Sequence, residues 1–125
     1  GYTWLDSEVV ESRTPDDPVF GIGQQLFRRP RHSGFADITT SNGPLAVTLT
    51  GIIVGRRVDS DFSSLEPALT ENAGYSRWDA RASYLLRTGL SLTFALDNLT
   101  NNDYMEPLGY RALRRTAPVG FRTTF

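Results

Sequence analysis

Six stretches of this 125-residue chain alternate apolar and polar residues with a period of two, and the connections between them are alternately long and very short. Such alternation puts successive side chains on opposite faces of a strand. The stretches fall at about 1–10, 32–41, 45–56, 75–87, 90–99 and 117–125. In the third, Leu45, Val47, Leu49, Gly51 and Ile53 oppose Ala46, Thr48, Thr50, Ile52 and Val54. In the fourth, Trp78, Ala80, Ala82, Tyr84 and Leu86 oppose Arg77, Asp79, Arg81, Ser83 and Arg87, and in the fifth Leu90, Leu92, Phe94 and Leu96 oppose Ser91, Thr93, Ala95 and Asp97. The last strand sets Val119, Phe121 and Phe125 against Gly120, Arg122 and Thr124. The second is the weakest, because Phe35 and Asp37 share one face, opposite Gly34, Ala36 and Ile38, and neither side reads as outward.

Asn42–Gly43–Pro44 and Thr88–Gly89 are tight-turn sequences, whereas 11–31, 57–74 and 100–116 are long polar connections. Compact soluble domains rarely carry structureless loops of that length. The expectation is an all-β, antiparallel up-and-down meander of about six strands. Short turns on one side, long loops on the other and strands of about 9 to 11 residues are what a transmembrane β-barrel wall requires. Six strands cannot close one, since the smallest have about eight. The chain, which starts at Gly1 without a signal peptide, therefore reads as a fragment whose earlier strands precede it.

Composition removes several other classes. A net charge of −1 argues against a nucleic-acid partner, and the absence of cysteine excludes disulfides, thiolate metal sites and a cysteine nucleophile. All 13 basic residues are Arg, whose planar fork suits phosphate and carboxylate. No apolar run approaches the ~18 residues of a membrane helix. A strand-built membrane protein also gives the negative mean hydropathy of −0.30, because only every second residue faces lipid.

From Gly74 onward, GYSRWDARASYLL followed by LSLTFALDNLTNNDYMEPLGYRALRRTAPVGFRTTF resembles the end of a TonB-dependent outer-membrane receptor. Asn98, Leu99, Asp103, Tyr104, Gly109, Tyr110, Arg115 and Phe125 carry the resemblance, in the family's order and spacing. Thr100 stands where the family commonly has Phe, and Arg114 where a Gly often precedes the Arg. Upstream, GYTWLD and RRPRHSG resemble the cobalamin-receptor-like branch. The resemblance implies the C-terminal portion of a 22-stranded barrel in the bacterial outer membrane, occupying residues 1–125, with the N-terminal plug and earlier strands absent from this chain. It implies uptake of a scarce ligand, a corrinoid or metal chelate such as a siderophore, with TonB reached only through the missing plug. Phe121 and Phe125 would serve barrel closure and recognition by the barrel-assembly machinery.

The loops hold the residues suited to a small-molecule ligand, which apolar and aromatic groups usually line. Phe20, Phe27, Phe62, Tyr104, Met105 and Tyr110 are the candidates. Arg28, Arg29, Arg31, Arg56, Arg57, Arg114 and Arg115 lie at loop bases, where they could pair with lipopolysaccharide phosphates at an external rim or simply be solvated. Asp59 and Asp61 offer two carboxylates but not the 6 to 8 oxygens of a calcium site. Gly21-Ile22-Gly23 lacks the third glycine of a nucleotide fingerprint, and His32 stands alone. With no nucleophile, base and orienting group together, neither an enzyme nor a metal or other cofactor is expected. Arg77, Arg81 and Arg87, with Asp79, are expected to make paired polar contacts rather than to bind ligand, since half-buried charges need partners. The alternative reading, a self-contained soluble β-barrel binding a small apolar ligand, requires Leu45, Val47, Leu49, Trp78, Leu90, Leu92 and Phe94 to form a buried core.

Overall fold

The computed structural model of the chain describes residues 1–17, 19–60 and 69–124. Phe62 and Asp61, like Phe125, lie outside the described residues. Among the described residues there is no helix, and eight strands form. They are β1 (Tyr2–Trp4), β2 (His32–Asn42), β3 (Leu45–Val54), β4 (Arg57–Ser60), β5 (Leu69–Asn72), β6 (Tyr75–Arg87), β7 (Leu90–Leu96) and β8 (Val119–Thr123). Six of them make one sheet in the order β1-β2-β3-β6-β7-β8, the expected meander, and β4 and β5 pair separately. Two expectations need correction. The first strand is only three residues long, and the second long connection is not a plain loop, because Arg57–Ser60 pairs antiparallel with Leu69–Asn72. Val58 and Leu69 lie in a stretch with no sustained alternation, so periodicity gave no strand signal there.

The chain forms two compact units. One comprises Gly1–Gly34, Ile53–Tyr75 and Tyr104–Ala112; the other comprises Phe35–Ile52, Ser76–Asp103 and Leu113–Phe125. In the second unit the register of β6, β7 and β8 joins the apolar faces read from sequence into one. Ala82 pairs with Phe94 and Tyr84 with Leu92, and Leu92 and Phe94 pair in turn with Phe121 and Val119. The opposite face carries Ser83 beside Thr93 and Ser91 beside Arg122. It borders a cavity of about 470 Å³ lined by Thr48, Arg81, Ser83, Thr93, Gly120 and Arg122, among others.

β2 is settled by its partners. Thr39 hydrogen-bonds Thr48 at 3.0 Å and Thr50 donates to Asp37 at 2.6 Å, so Asp37 and Thr39 share the polar face of β3. Ile38 then falls on the apolar face and Phe35 on the polar one. That misplaced aromatic is why the pattern was unreadable. A register shift between Leu85 and Arg87 also overturns one assignment: Arg87 pairs with Leu90 and so joins the apolar side. One extra residue in a strand reverses the facing of everything beyond it.

Among the described residues no hydrophobic side chain is buried. Phe121 is 72% exposed, Val119 65% and Phe94 44%. The buried core that a soluble barrel needs is not formed among the described residues, where the apolar face lies open at Val119 and Phe121 of β8.

One contact on that face fixes a glycine. A Cβ on Gly51 would lie 2.6 to 2.9 Å from three ring carbons of Trp78, so the indole of β6 lies against bare backbone of β3. Gly51→Ala is expected to destabilise the sheet by about 1–3 kcal/mol through overpacking. In a Trp78→Ala background the same change should cost far less. Urea unfolding of the four variants in neutral detergent checks this, and equal costs in both backgrounds would rule it out.

Candidate ligand-binding loops

The first long connection is folded on itself. Asp17 accepts two backbone hydrogen bonds at its Oδ1, from Val19 at 2.7 Å and Phe20 at 2.8 Å, while its carbonyl accepts from Gly21 N–H at 2.8 Å. Such a side-chain-to-backbone turn is what Asp favours. Gly21 is buried where a Cβ would meet the Asp17 carbonyl oxygen at 2.3 Å, so only glycine closes the turn. Val9 N–H donates to Gln24 and Gly23 N–H to Val9, each at 2.8 Å, which returns the loop to its start. This places Phe20 edge-on to Phe27, with centroids 5.4 Å apart.

Asp59 on β4 holds three segments of this unit. Its side chain is fully buried, and Oδ1 accepts from Arg28 Nε at 3.0 Å and from Ser60 N–H at 2.9 Å, while Oδ2 accepts from Leu108 N–H at 3.1 Å. Arg28 N–H also donates to the Val58 carbonyl at 2.8 Å. Burial pushes the Asp59 carboxyl up, but the Ser60 and Leu108 amides and the Arg28 guanidinium outweigh it, so the group ionises below the usual carboxylate range.

The β4–β5 pair also grips the third long connection. Arg57 Nη2 and Asn72 Nδ2 both donate to the Met105 carbonyl at 3.1 Å, and Arg57 Nη2 lies 3.6 Å from Glu106. Arg57 and Asn72 are opposite each other in register, so both reach the same carbonyl from one face. Tyr75 stacks on Tyr104 with centroids 3.9 Å apart and donates its hydroxyl to Glu106, and the Arg57 guanidinium lies over the Tyr75 ring.

In the second unit Asn98 organises the end of β7. It is buried in the left-handed region (φ 52°). Its Nδ2 donates to the carbonyls of Asn102 (2.9 Å) and Leu113 (3.1 Å), and its Oδ1 accepts from Asn102 N–H at 2.9 Å. The Asn98 amide donates to Asp79, which Arg77 grips with two nitrogens at 2.8 and 2.9 Å. Arg81 reaches Asp97 at 3.8 Å. Arg114 pairs with Asp103 at 2.6 Å. Arg77, Asp79, Arg81 and Asp97 are thus joined in pairs, with Asp79 the most buried of them.

A family model of the TonB-dependent receptor-like β-barrel matches residues 1–99, more than half of the chain. The chain belongs to the TonB-dependent receptor β-barrel family. Members are receptors and transporters of the Gram-negative outer membrane rather than enzymes, and the family implies ligand binding and interaction with TonB. The match takes in β1 to β7. Of the motif residues, Asn98 ties the end of β7, Asp103 holds Arg114, and Tyr104 stacks on Tyr75.

Four of the candidate ligand residues fall into two groups in the first unit. Phe20 and Phe27 touch each other, and Tyr104 and Met105 belong to the Arg57–Tyr75 cluster. Tyr110 is exposed, with its backbone amide on the Pro107 carbonyl. Of the loop-base arginines, Arg28, Arg31 and Arg56 are half or more exposed and pair with Asp59, Asp6 and Glu71. Arg57, in contrast, is turned inward at 3% side-chain exposure, toward the Met105 carbonyl and Glu106. Arg29 is exposed, as are Arg114 and Arg115 in the second unit. Sequence reasoning missed Tyr75, Asn72 and Glu106, and weighed Asp59 only for calcium; among the described residues no group of three or more acidic or histidine side chains could hold a metal.

Proposed function

We propose that residues 1–125 form the C-terminal segment of a TonB-dependent receptor barrel whose plug and earlier strands lie elsewhere in the polypeptide. The observation that carries this reading is the joined apolar face of β6, β7 and β8, exposed in a family of outer-membrane barrels. On this reading it faces lipid, and the face of Arg81, Ser83 and Arg122 lines the lumen against the plug. Leu92→Arg should cost about 2–4 kcal/mol and prevent outer-membrane assembly, whereas Ser83→Arg should be tolerated. Membrane fractionation of cells expressing the whole receptor checks this, and equal tolerance of both changes would sink it.

The cargo proposed is a scarce corrinoid or metal chelate, in keeping with the cobalamin-receptor-like sequence at the start of the chain. Phe20, Phe27, Tyr104, Met105, Tyr110 and Phe62 would contact it, and Phe121 and Phe125 would serve closure and the barrel-assembly machinery. The exposed Arg28, Arg29, Arg31, Arg56, Arg114 and Arg115 would meet lipopolysaccharide phosphates. Cells carrying the receptor should accumulate cyanocobalamin or a ferric siderophore only when TonB is present, and Phe20→Ala with Phe27→Ala should reduce that uptake. Uptake independent of TonB would overturn the transport reading.

A further inference from the structure

Two cavities in the first unit are both lined by Gln25. One, of about 360 Å³, is bounded by Arg31, His32, Arg56, Arg57 and Glu71, a strongly cationic set with one carboxylate. The other, of about 310 Å³, is bounded by Val9, Val19, Phe20, Leu26 and Phe27, with Arg29 at its margin. Each is of small-molecule size. Gln25 is held by its amide, which donates to the Arg29 carbonyl at 3.1 Å.

The cationic side is open to exchange. Arg31 lies 3.5 Å from Asp6 and Arg56 lies 3.6 Å from Glu71, in pairs whose side chains are all more than half exposed. Such loose, solvated pairs hold their partners weakly, and an incoming oxyanion that takes both guanidinium groups replaces them with charge-assisted hydrogen bonds. His32 is fixed at the cavity edge by the Tyr2 hydroxyl, 2.7 Å from its Nδ1. The apolar side is organised before any ligand arrives, since the Asp17 turn sets the position of Phe20.

The geometry points to a binding site for an anionic amphiphile: a phosphate, sulfate or carboxylate head between Arg31 and Arg56, and an aryl or acyl body against Phe20 and Phe27. This deepens the receptor reading above and rests on it. The head could belong to a free solute or to a membrane lipid, and the chemistry recognised is the same.

The test uses the full-length receptor in maltoside micelles, with 1-naphthyl phosphate as probe. Naphthyl phosphate should bind at least about tenfold more tightly than inorganic phosphate or 1-naphthol, because only it engages both cavities. Arg31→Ala with Arg56→Ala should bring it down to the level of naphthol, and Phe20→Ala with Phe27→Ala down to the level of inorganic phosphate. Arg57 is left intact because it anchors Met105. Displacement of the probe by lipopolysaccharide would assign the site to a membrane lipid, and failure to displace it would assign the site to a solute. Naphthyl phosphate binding that is absent, or unchanged in both double variants, overturns the inference. If TonB-dependent uptake persists in that case, the receptor reading stands without it.

Discussion

Asp59→Ala is expected to loosen the loop unit by about 3 kcal/mol, roughly a hundredfold in the opening constant. The carboxylate is fully buried and satisfies Arg28, Ser60 and Leu108, three donors from separate stretches of chain. Its removal takes away the carboxylate that accepts from the Leu108 and Ser60 amides and from the Arg28 guanidinium. The Arg28 share is the smaller, because that side chain is half exposed and screened. Hydrogen exchange should quicken at Arg28, Ser60 and Leu108 while the amides paired between β7 and β8 keep their protection. Unchanged exchange at Leu108 would refute the arrangement. Asp59→Asn separates charge from shape, since an amide nitrogen facing the Ser60 or Leu108 N–H places donor against donor.

The same carboxyl gives the loops an acid limit. Its folded pKa is depressed, so its contribution is fully present above the unfolded value of about 3.9 and is lost as pH falls through the lower folded value. Loop opening in the native protein should therefore accelerate below about pH 4. In Asp59→Asn this component of the acid response should vanish.

Asn98→Ala is expected to cost about 3–4 kcal/mol in urea unfolding in neutral detergent. Three side-chain hydrogen bonds disappear, and alanine must adopt a left-handed backbone, which alone costs about 1–2 kcal/mol. Asn98→Gly keeps the first loss and removes the second, so it should recover about 1 kcal/mol. Fraying should reach the adjoining Asp97–Thr116 bridge, whose 2.9 Å bond ties the end of β7 to the chain entering β8. A cost within about 0.5 kcal/mol of zero, as for an ordinary surface change, would contradict this account.

Strand faces were legible wherever alternation ran unbroken, as in β6 and β7, because period-two patterning is written directly in local sequence. They were lost at Phe35, an aromatic on the polar side, and at Arg87, where the bulge inverted the count. The aromatic candidates of the loops could be named from composition, but not their grouping. Asp59 was hidden for a different reason: its partners Arg28 and Leu108 lie 31 and 49 positions away, and no local pattern encodes a contact of that separation. Tyr75 read as the first residue of a strand, and only the stack with Tyr104 gives it a second role.

The junction at Asp59 bears on how receptors of this kind can diversify. Loops that hang independently from a wall can be exchanged one at a time, each exploring new ligands while the others stay put. Here Arg28, Asp59 and Leu108 come from all three long connections and meet at one carboxylate. A change of length or sequence in any one must remain compatible with the other two. These loops should therefore transfer to another barrel as a single cassette rather than one at a time.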